Sequence, residues 1–179
     1  MTYSILVLGA SYGSLFGTKL LMAGHRVTLV CTSPTAQLIN REGTRVRFPI
    51  KGRESLLEIA SQKLPGALAA VTPDEVDPGQ YDLIVLGMQE AQLGAQGVRE
   101  LMGRVARARK PCLAIMNMPP LAYLKRIPGL ATQALEHCYT NPGVWADFDP
   151  ALITLASPDP QAFREIGRAS CRERVCLAV

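Results

Sequence analysis

The chain has 179 residues, 48% of them hydrophobic and 19% charged, enough apolar material for a full core, which excludes a predominantly disordered protein and makes one domain the default. The formal net charge of +4 is spread over isolated lysines and arginines; only 104–110 is denser, alternating with small apolar residues as a helix end does, so nucleic-acid binding is not indicated. No apolar run approaches the roughly 18 to 20 residues that span a bilayer, so no membrane partner is expected.

Met1-Thr2-Tyr3-Ser4 leads straight into a strand rather than a charged secretory leader, which predicts a cytoplasmic protein. Cys31, Cys112, Cys138, Cys171 and Cys176 form no C-x-x-C pair and have no histidine at zinc-ligand spacing. No metal site is expected, and an odd thiol count suits a reducing compartment.

Ser4 to Leu8 is a short apolar run ended by Gly9, as in a strand buried on both faces of a parallel sheet. Leu15, Phe16, Leu20 and Leu21 then fall at helical spacing, with Gly24 suited to end the helix at C′. Arg26 to Cys31 reads as the second parallel strand. Pro34 to Arg41 suits a second helix, with Ser33 as N-cap and Pro34 at N1, ended by Gly43. Between Thr44 and Ala70 the periodicity weakens, leaving short β segments around 46–48, 56–59 and 68–70. Tyr81 to Gly87 is another buried strand, announced by the turn Asp77-Pro78-Gly79. Gln92 to Arg107 reads as a helix, Cys112 to Met116 as a strand, and Met118-Pro119-Pro120 as a turn. Further on, Ile153 to Leu155 is the best remaining strand, beyond loops at Asn141-Pro142-Gly143 and Asp149-Pro150.

Strands alternating with helices predict a doubly wound α/β fold of Rossmann type with a mainly parallel sheet, whose ligands sit beyond the carboxyl ends of the strands. Three clusters occupy such positions. Gly9, Ala10, Ser11, Tyr12, Gly13 and Ser14 lie between strand and helix, where backbone N–H groups can hold a pyrophosphate. The G-x-G-x-x-G fingerprint wants glycine where Ser11 and Ser14 stand, so either Ser11 turns its hydroxyl to phosphate or the loop is one residue short. After the second strand, Thr32 and Ser33 stand where an NAD site usually has a carboxylate. That favours NADP, with Arg41 or Arg26 as possible added charge, although Ser33 as a mere helix cap is the alternative. Gly87, Met88 and Gln89 follow the strand that ends near Leu86, and Asn117 follows the strand from Cys112.

The run Gly9 to Val30, the segment Leu38-Ile39-Asn40-Arg41-Glu42-Gly43 and the strand Asp82 to Gly87 together resemble the amino-terminal domain of ketopantoate reductases over roughly residues 3 to 130. The resemblance implies NADPH-dependent reduction of the 2-oxo acid ketopantoate to pantoate, on the route to pantothenate. It also implies a second, helical domain carrying a catalytic lysine and a substrate-binding glutamate, through which a homodimer would form. Asn117 matches the asparagine of the family's Gln-Asn-Gly segment near nicotinamide and substrate, an amide suited to positioning rather than acid catalysis. Met116 and Met118 replace its neighbours, and Gln89 stands where many members carry lysine. A turn residue is the alternative for Asn117, and His25, at the other end of the sheet, reads as a surface residue.

From Glu165 the string Glu-Ile-Gly-Arg-Ala-Ser-Cys-Arg-Glu-Arg-Val resembles the translation of a sequencing adapter. The expected division is therefore a nucleotide-binding domain over 1–164 and a non-native tail over 165–179, with Cys171 and Cys176 foreign and the reading frame cut inside a longer gene. A non-catalytic dinucleotide-binding or redox-sensing module, or an opine or 2-hydroxy acid dehydrogenase, shares these motifs. A methyltransferase would want an acid near Thr32.

Overall fold

A computed structural model describes residues 1–48 and 55–156; the expectations for 165–179 lie outside the described residues. Its centre is β1 (Ser4–Leu8), flanked in parallel by β2 (Arg26–Val30) and β6 (Leu83–Leu86), with Ile5 facing Val27 on one side and Leu83 on the other. The main sheet continues through β5 (Ala67–Val71) beside β2, and through β7 (Cys112–Ala114) and β8 (Ile153–Leu155) beyond β6. Its order is β5-β2-β1-β6-β7-β8, parallel throughout.

Both faces are covered, so the alternating side chains of β1 feed two cores. Ile5 and Val7 pack with Val27 and Leu29 under α1 (Ala10–Met22) and α2 (Ser33–Glu42), burying Leu21, Ala36 and Ile39. Leu6 and Leu8 pack on the opposite face with Leu101, Met102 and Val105 of α3 (Gln96–Ala108). The same core takes in Leu121 and Ala122 of the short α4 (Leu121–Leu124), and Trp145, which stacks tilted on Phe148 at 5.3 Å. A second short helix, α5 (Thr132–Leu135), follows α4.

Between α2 and β5 stands an antiparallel hairpin of β3 (Arg45–Phe48) and β4 (Leu57–Ala60), the weakly periodic region of the sequence. Its base is closed by Ser61, whose N–H donates to the Thr44 carbonyl at 2.9 Å and whose Oγ accepts from the Thr44 N–H at 2.8 Å. Asn40 fastens α2 to the edge strand: Nδ2 donates to the Ala70 carbonyl at 2.7 Å and Oδ1 accepts from its N–H at 2.8 Å.

Three boundaries in particular differ from the sequence expectation. Thr32, not Ser33, is the N-cap of α2, so Ser33 is its first helical residue and Pro34 its second. The helix expected from Gln92 begins at Gln96, because a 3-10 turn over Glu90–Gly94 is closed by a capping box between Gln89 and Gln92, and Ala95 is extended at φ −60°, ψ 138°. That turn is anchored by buried Glu90, which accepts from the N–H groups of Thr140 and Asn141, both at 3.0 Å. β7 pairs only as far as Ala114, after which the chain leaves the sheet toward Pro119-Pro120. Among the described residues no helix is long and apolar enough to cross a membrane, and no group of three or more His, Cys, Asp or Glu could hold a metal ion.

Candidate functional site

Strand order reverses between β1 and β6, since β2 and β5 lie to one side of β1 and β6, β7 and β8 to the other. Such a switch point opens a crevice at the carboxyl ends of the two strands, because the connections leave in opposite directions. Gly9 ends β1 in this crevice with φ 99°, and α1 starts at the next residue. An added Cβ on Gly9 would meet Met88 Cγ at 3.0 Å and the Gly87 carbonyl oxygen at 3.1 Å, so the left-handed turn and the close approach of the two strand ends both require glycine. The first-turn N–H groups of α1 receive no side-chain cap and face the crevice as free donors.

Two helical turns of glycine then let α1 settle onto the sheet. A Cβ on Gly13 would lie 2.6 Å from Val7 Cγ1, and one on Gly17 would lie 3.3 Å from Val27 Cγ1. The glycine that packs helix on strand thus follows Gly9 by four positions, where the G-x-G-x-x-G pattern spaces those roles by five. Of the two readings left open for this turn, the geometry selects the loop one residue short. Ser14 Oγ donates back to the Ala10 carbonyl within the helix.

A cleft of about 830 Å³ extends from this turn. Nine of the expected residues line it: Gly9, Ala10, Ser11, Tyr12 and Ser14 from the turn, Thr32 beyond β2, and Gly87, Met88 and Gln89 beyond β6. Three do not. Gly13 lies beneath, against Val7. Ser33 borders a separate, smaller hollow with Asn40, Thr72 and Glu75. Asn117 is exposed in the bend after β7, outside the cleft wall. His25 sits at the amino end of β2, its ring 5.5 Å from that of Tyr3.

The wall also contains residues that sequence reasoning passed over: Thr35, whose hydroxyl lies 2.9 Å from that of Thr32, then Thr44 and Arg45, and Gln92. Thr35 was discernible as the residue one helical turn after Thr32. Arg45 was not, because its position depends on the turn at Gly43, with φ 71°. The two arginines suggested by the sequence are elsewhere: Arg26 begins β2 at the opposite end of the sheet, and Arg41 pairs with Glu42 at 2.7 Å. Cys31, also in the wall, has its thiol pKa raised by burial. Arg45 is the one lysine or arginine among the described lining residues, and no carboxylate is among them.

A glycine-lined crevice with free amide donors, one arginine and, among the described lining residues, no acid is suited to an anionic, elongated ligand such as a dinucleotide. The family described as Ketopantoate reductase PanE/ApbA matches residues 5–116, which span β1 through the strand β7 and so contain every wall of the cleft. The chain belongs to this family. A candidate ketopantoate reductase from Ralstonia solanacearum MolK2 has the same fold, with a TM-score of 0.57 and 16% identity over 87% of this chain and 44% of that one. An imine reductase from Myxococcus stipitatus in complex with NAD+ is more distant, with a TM-score of 0.43 and 16% identity over 83% of this chain and 39% of that one. No curated protein matches the chain significantly. The chain spans less than half the length of these solved structures. Membership makes it an NAD(P)-dependent dehydrogenase-like Rossmann domain of the ketopantoate reductase family.

Proposed function

We propose that the chain is the cofactor-binding part of a cytoplasmic, NADPH-dependent reductase of a small 2-oxo acid, with ketopantoate as first candidate and pantothenate synthesis as its setting. The observation that carries this reading is the Gly9 turn at the switch point, with uncapped amides on one side and Thr32 in place of a carboxylate on the other. The residues present fit a dinucleotide. The amides of Ala10, Ser11 and Tyr12 would hold the pyrophosphate, Thr32 would face the adenosine ribose, and Gly87 to Gln89 would line the path toward the nicotinamide.

NADPH held there would supply the hydride for the carbonyl carbon. This chain's part is to bind and orient: Gly9 and Gly87 keep the two strand ends close, and Met88 adds an apolar wall that excludes water. Asn117, exposed at the carboxyl end of the sheet, has an amide free to donate to a substrate carboxylate or carbonyl if a further domain closes over it. No carboxylate or histidine is among the described cleft residues, so the proton for the new hydroxyl is assigned to a second domain, which would also carry any dimer contact.

Fluorescence titration of residues 1–179 with NADPH and NADH tests the reading. NADPH is expected to bind more tightly and ketopantoate not to be turned over. Tighter NADH binding overturns the cofactor assignment, no binding of either overturns the dinucleotide site, and robust turnover refutes the division of labour.

A further inference from the structure

We propose that Tyr139-Thr140-Asn141 is a strap tying the loop after β6 to the loop after β7, which makes Glu90 and Tyr139 positioning residues for the nicotinamide end of the crevice; that end is defined by the dinucleotide reading above. Three successive residues reach both loops. The Tyr139 hydroxyl donates to the Pro119 carbonyl at 2.6 Å, while the N–H groups of Thr140 and Asn141 donate to different oxygens of Glu90, both at 3.0 Å. Glu90 follows Gln89, which lines the cleft, and opens the 3-10 turn that the Gln89–Gln92 capping box closes. The strap also lies close against that turn: a Cβ added to Gly94, at its end, would come within 2.5 Å of Asn141 Cγ.

On the other side, Pro119 stands two residues beyond Asn117. The bend carrying Asn117 is thereby held at two points: before it the Ile115 N–H donates to the Leu86 carbonyl at 3.0 Å, and after it the Pro119 carbonyl is held by Tyr139. Proline at 119 and 120 fixes two successive φ angles, so a carbonyl anchored there leaves the bend little freedom. Tyr139 itself is buried in the core that contains Leu121 and Ala122, which gives the strap a rigid base. Glu90 is the costly member of the joint. It is 8% exposed and has no cationic partner among the described residues, and burying a carboxylate is unfavourable unless donors fill its oxygens. Backbone donors fill both, and they belong to the segment whose preceding residue grips the second loop. Charge-assisted bonds of this kind are short and strong, so a displacement of one loop is passed to the other.

The test uses residues 1–179 with Glu90→Gln, Tyr139→Phe and, as control, Asp77→Asn, which alters a turn ahead of β6 at the opposite end of the sheet. Amide hydrogen exchange is followed first, without ligand. Glu90→Gln is expected to speed exchange over 115–124, with which Glu90 shares no hydrogen bond, and Tyr139→Phe to speed it over 88–94, with which Tyr139 shares none; the control changes neither segment. Titration gives the second readout. Both variants are expected to weaken NADPH and NADH alike by about three- to tenfold, the scale of one lost hydrogen bond, and 2′,5′-ADP, which lacks the nicotinamide half, by less than about twofold. Faster exchange confined to the segment bonded to the altered side chain overturns the strap. Equal weakening of whole and half cofactor, or of neither, overturns the positioning role. Wild type that binds no dinucleotide removes the reading of the crevice instead, and exchange alone then decides whether the strap stands.

Discussion

Gly13 and Val7 are packed so closely that a methyl group on the glycine would lie 2.6 Å from Val7 Cγ1. Val7 is fully buried and, being β-branched, has little rotamer freedom to yield. Overpacking of this kind costs about 1–3 kcal/mol, against a gain of about 1 kcal/mol in helix propensity on replacing glycine by alanine. Gly13→Ala is therefore expected to lower the urea midpoint, while Gly17→Ala, at 3.3 Å from Val27 Cγ1, stays near wild type. In the double variant Gly13→Ala, Val7→Ala the loss should be smaller than the sum of the single losses; strict additivity would contradict the contact.

Glu90 fastens the turn beside the cleft to the distant 140–141 segment through two backbone N–H groups. Glu90→Gln leaves one acceptor and puts an NH2 group against the other donor. Hydrogen bonds to a charged group contribute about 1.5–3 kcal/mol, and a loss of that size is expected in urea unfolding. Unchanged stability would show that the clasp contributes nothing.

What the sequence made legible follows from periodicity. The apolar runs of β1, β2 and β6, the glycine turn and the parallel architecture were all readable, because a strand buried on both faces is continuous in its own residues. The cleft residues nearest those strands were readable for the same reason. The late start of α3 was not, since it depends on Glu90 bonding to residues some fifty positions away. Ser33 reads as the cap in the sequence because serine is a somewhat better N-cap than threonine, and only the backbone shows that Thr32 holds that position. Arg45 was invisible because an inserted hairpin carries it to a site built from other elements.

Acid should weaken the fold. The Asp77 carboxyl pKa is lowered by hydrogen bonds from the Gly79 N–H and the Gln80 side chain, and that of Glu75 by bonds from the Thr72 N–H and hydroxyl. A folded-state pKa below the unfolded value means that each contributes stability fully above the unfolded pKa, which is lost as pH falls through the folded one. The urea midpoint is expected to drop as pH is lowered through the carboxylate range, and Asp77→Asn and Glu75→Gln to flatten that drop. A midpoint independent of pH there would contradict the assignment.

Thiol labelling should separate the cysteines. Burial pushes the Cys112 thiol up to about 12 from 9.0, so its thiolate fraction at neutral pH is about a thousandfold below that of an ordinary thiol, whereas Cys138 is exposed. Peptide mapping after brief maleimide treatment is expected to find Cys138 modified and Cys112 intact until denaturant is added. Early modification of Cys112 would show that the sheet opens locally.

The first strand in the chain is the one separated by the greatest length of chain from a partner. β1 lies between β2 and β6, and the Ser4 N–H bonds Asp82 Oδ2 at 2.8 Å across 78 positions of chain. A nascent chain leaving the ribosome therefore carries its central strand with one ladder open until residues 83–86 emerge. Throughout that interval an apolar strand edge is open to chaperones or to other unfinished copies.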